Sequence, residues 1–219
     1  MEGRESMCGR YYVASDLYDE IREFIRKANG KGPSSYDAGS SFHTEFSEEL
    51  AGHNIVPATS SVIISSQKNS KSLTAEPMIF GFPGFQGSKR LINARAETVL
   101  TRPAFSQSML SQRCLVPASR YYEWNHQKEK VTFHREGHSI FYMAGIYRID
   151  NGQKYFAILT TEANASVRPV HHRMPLILEE SEARNWLFDQ EAAIRLLHKV
   201  PFSMARDQEY EQLELFPLG

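Results

Sequence analysis

The chain predicts a single α+β domain, mostly antiparallel β-sheet with flanking helices, and three observations carry that prediction. Short runs rich in β-branched and aromatic residues recur through much of the 219 residues, as strands of a half-buried sheet do. Asp150-Asn151-Gly152 stands between two such runs, and an Asn-Gly pair there turns the chain through a tight antiparallel hairpin. Strong helical periodicity is confined to a segment near the start, with shorter helical pieces elsewhere. A hydrophobic share of 41% against 23% charged residues supports a sizeable core. No internal repeat and no linker divides the chain.

Taken in order, the first element is a helix over 16–27. Leu17, Ile21, Phe24 and Ile25 recur at helical spacing behind Ser15, with acids in the first turn, bases in the last and Gly30 just beyond. Residues 29–41 are rich in Gly, Ser and Pro and read as a long surface loop. Strands are expected at 62–65, 77–82, 114–117, 121–124, 131–134, 140–147, 155–161 and 176–178. Helical pieces are expected at 104–110, where Thr101 and Pro103 mark the start, and at 181–188 and 191–198.

Charge and cysteine usage narrow the function. A net charge of -1 gives no global attraction to nucleic acid or to an anionic membrane, so any DNA contact needs arginines gathered on one face. The chain has neither an apolar run of the roughly 20 residues that span a bilayer nor the start of a secretory signal. It reads as cytoplasmic, without membrane partners. A reducing compartment keeps Cys8 and Cys114 as thiols. His134 and His138 lack a third ligand at convincing spacing, so neither a metal nor a cofactor is expected.

Cys8, in Met7-Cys8-Gly9-Arg10, is the most informative position. Removal of residues 1–7, as a leader or tag, exposes an α-amine beside a thiol on adjacent carbons. That pair traps an aldehyde twice, first as an imine and then as a five-membered thiazolidine. The amine titrates near 7.7–8.0 and the thiol near 8.5, so a minority of each is already reactive at neutral pH. While residues 1–7 remain attached, the amine is an amide.

Four further strings carry chemistry. Asn93-Ala94-Arg95-Ala96-Glu97 offers an amide, a guanidinium and a carboxylate at alternate positions, all on one side if extended. In Tyr122-Glu123-Trp124 a carboxylate stands among aromatic rings, surroundings that suit a general acid or base. His171-His172-Arg173 sets an imidazole beside a permanent cation. Thr160 and Thr161 end a strand in hydroxyls suited to phosphate. Each has a structural reading too, as an ion pair, a strand edge or a satisfied core group, and spacing alone does not join them.

Together, and in this order, these strings with Arg113-Cys114-Leu115-Val116-Pro117-Ala118 and Ala144-Gly145-Ile146-Tyr147 resemble the signatures of the SOS-response-associated peptidase (SRAP) family. The resemblance runs from Cys8 to about Leu178. It implies a barrel-like fold over 8–205, covalent capture of abasic sites in single-stranded DNA through an N-terminal cysteine, and a thiol peptidase activity that removes the leading segment. It implies that Cys8 is the nucleophile, Asn93 orients the terminus, Glu123 is the acid/base, and His171 protonates the sugar ring oxygen. Arg10, Arg95, Thr160, Thr161 and Arg173 are the expected phosphate contacts. The family's tryptophan string is replaced by Phe80-Gly81-Phe82-Pro83-Gly84-Phe85, one residue shorter, leaving Phe80 and Phe85 as the rings to stack on bases. Arg120 stands where a small residue is common, as a phosphate contact or a solvent-facing group.

Outside the resemblance, the tail 206–219 ends in Gln212-Leu213-Glu214-Leu215-Phe216. This resembles the peptide by which bacterial repair proteins dock on the sliding clamp. Leu215 and Phe216 would fill an apolar pocket, with Leu213 beside them and Gln212 bonding at its edge; the alternative is a terminal hook that packs on its own domain.

Overall fold

The helix behind Ser15 runs Leu17–Ala28 (α1) and buries Leu17, Ile21, Phe24 and Ile25, the stripe its spacing predicts. These observations come from a computed structural model that describes residues 9–15, 17–30, 52–66, 72–84 and 87–208. The strands are β1 (Arg10–Val13), β2 (His53–Ile55), β3 (Ser60–Ser66), β4 (Leu73–Phe80), β5 (Asn93–Arg95), β6 (Arg113–Ala118), β7 (Arg120–Trp124), β8 (Lys130–His134), β9 (Phe141–Asp150), β10 (Gln153–Glu162), β11 (Arg173–Pro175), β12 (Ile177–Leu178) and β13 (Ala205–Gln208). The remaining helices are α2 (Ser106–Ser111), α3 (Glu180–Phe188) and α4 (Gln190–Leu196). No helix among the described residues is long and apolar enough to cross a membrane.

Two sheets result, and every pairing among these strands is antiparallel except those of β10 with β4 and β5. In the larger sheet β4, β3, β6, β9 and β10 close into a ring, because β10 pairs with both β9 and β4. Closure removes the free edges that an open sheet would present. The hairpin between β9 and β10 turns at Asn151 and Gly152, both at positive φ, as the Asn-Gly pair predicts. The smaller sheet has the order β13-β8-β7-β1-β2. Tyr11 on its inner face meets Phe80 of the ring edge-on at 5.9 Å, and within the ring Phe80 stacks on Phe156 at 5.0 Å.

Buried polar groups tie the helices down. Arg113, at the start of β6, donates from Nε to the Trp186 carbonyl at 2.5 Å and from Nη1 to the Met109 and Leu110 carbonyls at 3.1 Å. One guanidinium thus satisfies carbonyls at the C-terminal ends of both α2 and α3. Asn29, just past α1, pairs with Leu73 through both its side-chain oxygen and nitrogen, which fixes the helix against β4.

Candidate active site

Strand β10 gathers three of the chemistry-bearing strings at one end. Asn93, Ala94 and Arg95 of β5 pair in parallel with Ile158, Leu159 and Thr160 on one edge. Met174 and Arg173 of β11 pair with Thr161 and Glu162 on the other. Ala94 is fully buried, so Asn93 and Arg95 share the opposite side of β5, with Asn93 half-buried and Arg95 exposed. The Asn93 Nδ2 is a buried donor with no hydrogen-bond acceptor among the described residues. Such an atom costs free energy unless something supplies an acceptor.

His171 closes a turn that Asn164 organises. The Asn164 Oδ1 accepts from Ser166 N–H at 3.0 Å and Ser166 Oγ at 2.6 Å, while its Nδ2 donates to the Pro201 and Phe202 carbonyls. His171 is 6% exposed, and its Nδ1 lies 3.1 Å from both the N–H and the carbonyl of Arg173. That contact orients the ring. The exposed His172 ring lies against it, centroids 4.5 Å apart.

Glu123 belongs to the smaller sheet. It is 2% exposed on β7, pairs with Val131 of β8, and follows Tyr122, the partner of Arg10 on β1. Arg10 lies over the Trp124 ring at 5.5 Å. Arg10, two residues after Cys8, is thus seated one position from Glu123 along β7, with its side chain on the sheet face opposite the buried carboxylate.

Three side chains expected to touch DNA lie inside the protein. Phe80 has no exposed surface and stacks on Phe156, so it cannot accept a base; in that string Phe82 is buried too, and a Cβ at Gly84 would sit 2.4 Å from the Ser88 carbonyl oxygen. Thr160 is also fully buried. Arg173 is 6% exposed, and its guanidinium donates to both Glu97 oxygens at 2.6 and 2.9 Å and to the Thr160 carbonyl at 2.7 Å. These bonds brace the turn after His171, and the Arg173 Nε is a buried donor with no acceptor among the described residues. Burial pushes the Glu97 carboxyl up, but the Arg173 hydrogen bond, its own backbone N–H and the charges of Arg173 and Arg95 outweigh that and hold it below the usual range. Glu97, the carboxylate of the Asn93–Glu97 string, and Asn164 act here as positioning residues, a role that sequence spacing did not give them; the Asn164-x-Ser166 pattern of a side-chain-capped turn was the available signal for Asn164.

Thr161 is half-buried, and Arg10 and Arg95 keep open surface. Cys8, Phe85 and Gln212, Leu213, Leu215 and Phe216 lie outside the described residues. Cys114 is a fully buried free thiol, with a pKa raised by burial and by the Glu76 charge, so it is unreactive. His134 lies beside Asp207 at 3.5 Å, and among the described residues no cluster of three or more His, Cys, Asp or Glu is arranged to hold a metal. A cavity of 540 Å³ between α1, the β8–β9 connection and the start of α3 contains none of the candidate site residues.

The chain is of the α+β class built on a closed strand ring, with a buried amide donor, an open arginine and a buried histidine at one end. The family model described as SOS response associated peptidase (SRAP) matches residues 7–217, and the chain belongs to that family. It is 29% identical over 194 residues to "Abasic site processing protein YoaM" of Bacillus subtilis, covering 83% of this chain and 79% of that protein. It is 28% identical over 189 residues to "Abasic site processing protein YedK" of Escherichia coli, covering 83% and 79%. Among solved structures, a Bacteroides thetaiotaomicron protein aligns with a TM-score of 0.68 at 22% identity, covering 93% of both chains. A phage-related Bordetella bronchiseptica protein gives 0.69 at 22% identity, covering 92% and 94%. Both share the fold.

Proposed function

We propose that the chain, once residues 1–7 are removed, captures abasic sites in single-stranded DNA as a covalent thiazolidine on Cys8. The observation that carries this reading is the seating of β1. Arg10 pairs with the residue before buried Glu123, and Cα atoms about 3.8 Å apart keep Cys8 within about 7.6 Å of Arg10. The relatives named abasic site processing proteins supply the substrate class.

In this reading His171 gives a proton to the sugar ring oxygen and frees the C1′ aldehyde. Glu123 takes a proton from the α-amine, which attacks C1′; water leaves as the imine forms. The thiolate then adds to the imine carbon and closes the ring, so aldehyde and aminothiol give thiazolidine and one water. The Asn93 amide donates to the terminus or the sugar, and Arg95, Arg10 and Thr161 hold phosphates. The imine also permits slow loss of the 3′ phosphate by β-elimination, a lyase activity. Attack of the Cys8 thiol on the Met7 carbonyl, followed by hydrolysis, would release the leader. A free thiol suits the reducing cytoplasm. Gln212 to Phe216 tether this activity to the bacterial sliding clamp; deleting 212–219 abolishes clamp pull-down and spares crosslinking, and retained pull-down removes that part of the reading.

The test uses protein beginning at Cys8 and a single-stranded oligonucleotide with one abasic site, resolved on a denaturing gel. A shifted band that vanishes with Cys8→Ala or with a blocked amine supports capture. Peptide hydrolysis without a shift makes the protein a thiol peptidase, and salt-sensitive native binding indifferent to Cys8 makes it a noncovalent single-strand binder.

A further inference from the structure

Strand alternation puts Tyr121 and Glu123 of β7 on the face packed against the ring, and Arg120, Tyr122 and Trp124 on the outer face. Antiparallel partners share a face, so the register brings Arg10 and Tyr12 of β1 and Lys130 and Thr132 of β8 to that outer side as well. Cations and rings alternate there. Lys130 lies 5.5 Å from the centre of the Tyr122 ring, diagonal to the Arg10–Trp124 pair. Burial raises the Tyr122 phenol, while the charges of Lys130, Arg120 and Arg10 act against it, which places all three cations around one ring. Arg120 and Trp124 are exposed, and Tyr12, Tyr122 and Lys130 are half-buried. On β13, Asp207 pairs in register with Thr132 and so lies on this outer side too, its carboxylate 3.5 Å from His134.

We infer that this outer face, through Arg120, Lys130, Tyr122 and Tyr12, is a binding track for single-stranded DNA that extends beyond the lesion site. Phosphates sit on Arg120 and Lys130, and bases rest against the tyrosine rings. A single strand is the fitting occupant because it offers both the negative backbone and open base faces, which a duplex hides in its stack. The track deepens the proposed capture reading by giving a path to the strand that carries the lesion; binding to it does not depend on the lesion chemistry.

The test therefore uses an undamaged oligonucleotide and a Cys8→Ala protein, so that no crosslink forms, with affinity read by fluorescence anisotropy across a salt series. Arg120→Ser and Lys130→Gln each weaken binding several-fold and lower the slope of log affinity against log salt by about 0.7, and the double variant by about twice that. Tyr122→Leu weakens binding roughly tenfold with the slope unchanged. Arg22→Ala, which removes an exposed cation from α1, is the charge-matched control and leaves the slope as it was. Slopes for Arg120→Ser and Lys130→Gln equal to that control overturn the track. So does a duplex of the same length that competes on equal terms and responds equally to the variants. Loss of crosslinking with these slope changes intact refutes the lesion chemistry and leaves the track standing.

Discussion

Replacing Glu97 by Gln tests the brace beneath His171. Arg173 is 8% exposed at the side chain and Glu97 44%, joined by hydrogen bonds of 2.6 and 2.9 Å. Buried charge-assisted bonds contribute about 1.5–3 kcal/mol each, whereas exposed pairs contribute about 0–1. With one partner open to water, the pair is worth about 1.5 kcal/mol at pH 7. For a chain of this size 1 kcal/mol moves Tm by about 2–4 °C, so E97Q melts about 3–6 °C lower. The pH dependence identifies the cause. The folded Glu97 carboxyl titrates below its ordinary 4.5, so its contribution is complete above that value and is lost as pH falls through the folded pKa. Wild type loses this contribution on acidification and E97Q has none to lose, so the gap closes toward pH ~3. Thermal melts at pH 7 and pH ~3 measure it. A gap of equal size at both pH values refutes the ion pair as the brace.

Arg113→Met leaves the carbonyls of Met109, Leu110 and Trp186 without their donor and lowers unfolding free energy by about 2–4 kcal/mol in urea; a loss under 1 kcal/mol shows that water replaces it. Gly145→Ala sets a methyl 2.9 Å from the Cys114 sulfur and 3.0 Å from Val116 Cγ2. Overpacking of this kind costs about 1–3 kcal/mol, and adding Cys114→Ala recovers part of the loss, whereas additive destabilisation in the double variant refutes the clash. Glu123→Gln slows crosslinking about 100-fold while native binding to undamaged single strands persists; an unchanged rate removes Glu123 as acid/base.

Local patterns made much of the fold legible. The α1 stripe, the Asn151-Gly152 hairpin and the long ring strands β9 and β10 all show in the sequence, because each repeats a period or a turn signal within a few residues. Strands β1, β2, β5, β11 and β13 have three or four residues each, too few to display a period. Their existence depends on partners distant in sequence. The same limit governed the site. Motif order led to Asn93, Glu123 and His171, but whether an arginine faces solvent or a carboxylate is a tertiary fact. Arg173 finds Glu97 across 76 residues, and Phe80 meets Phe156 only once the ring closes.

Intact mass of the crosslinked species distinguishes a closed thiazolidine on Cys8 from an open imine. Protein beginning at Cys8 and an abasic oligonucleotide should give the sum of the two masses less one water, unchanged by borohydride, as a closed thiazolidine requires. An adduct that gains two hydrogens on reduction stops at the imine and contradicts the account, as does the absence of any adduct.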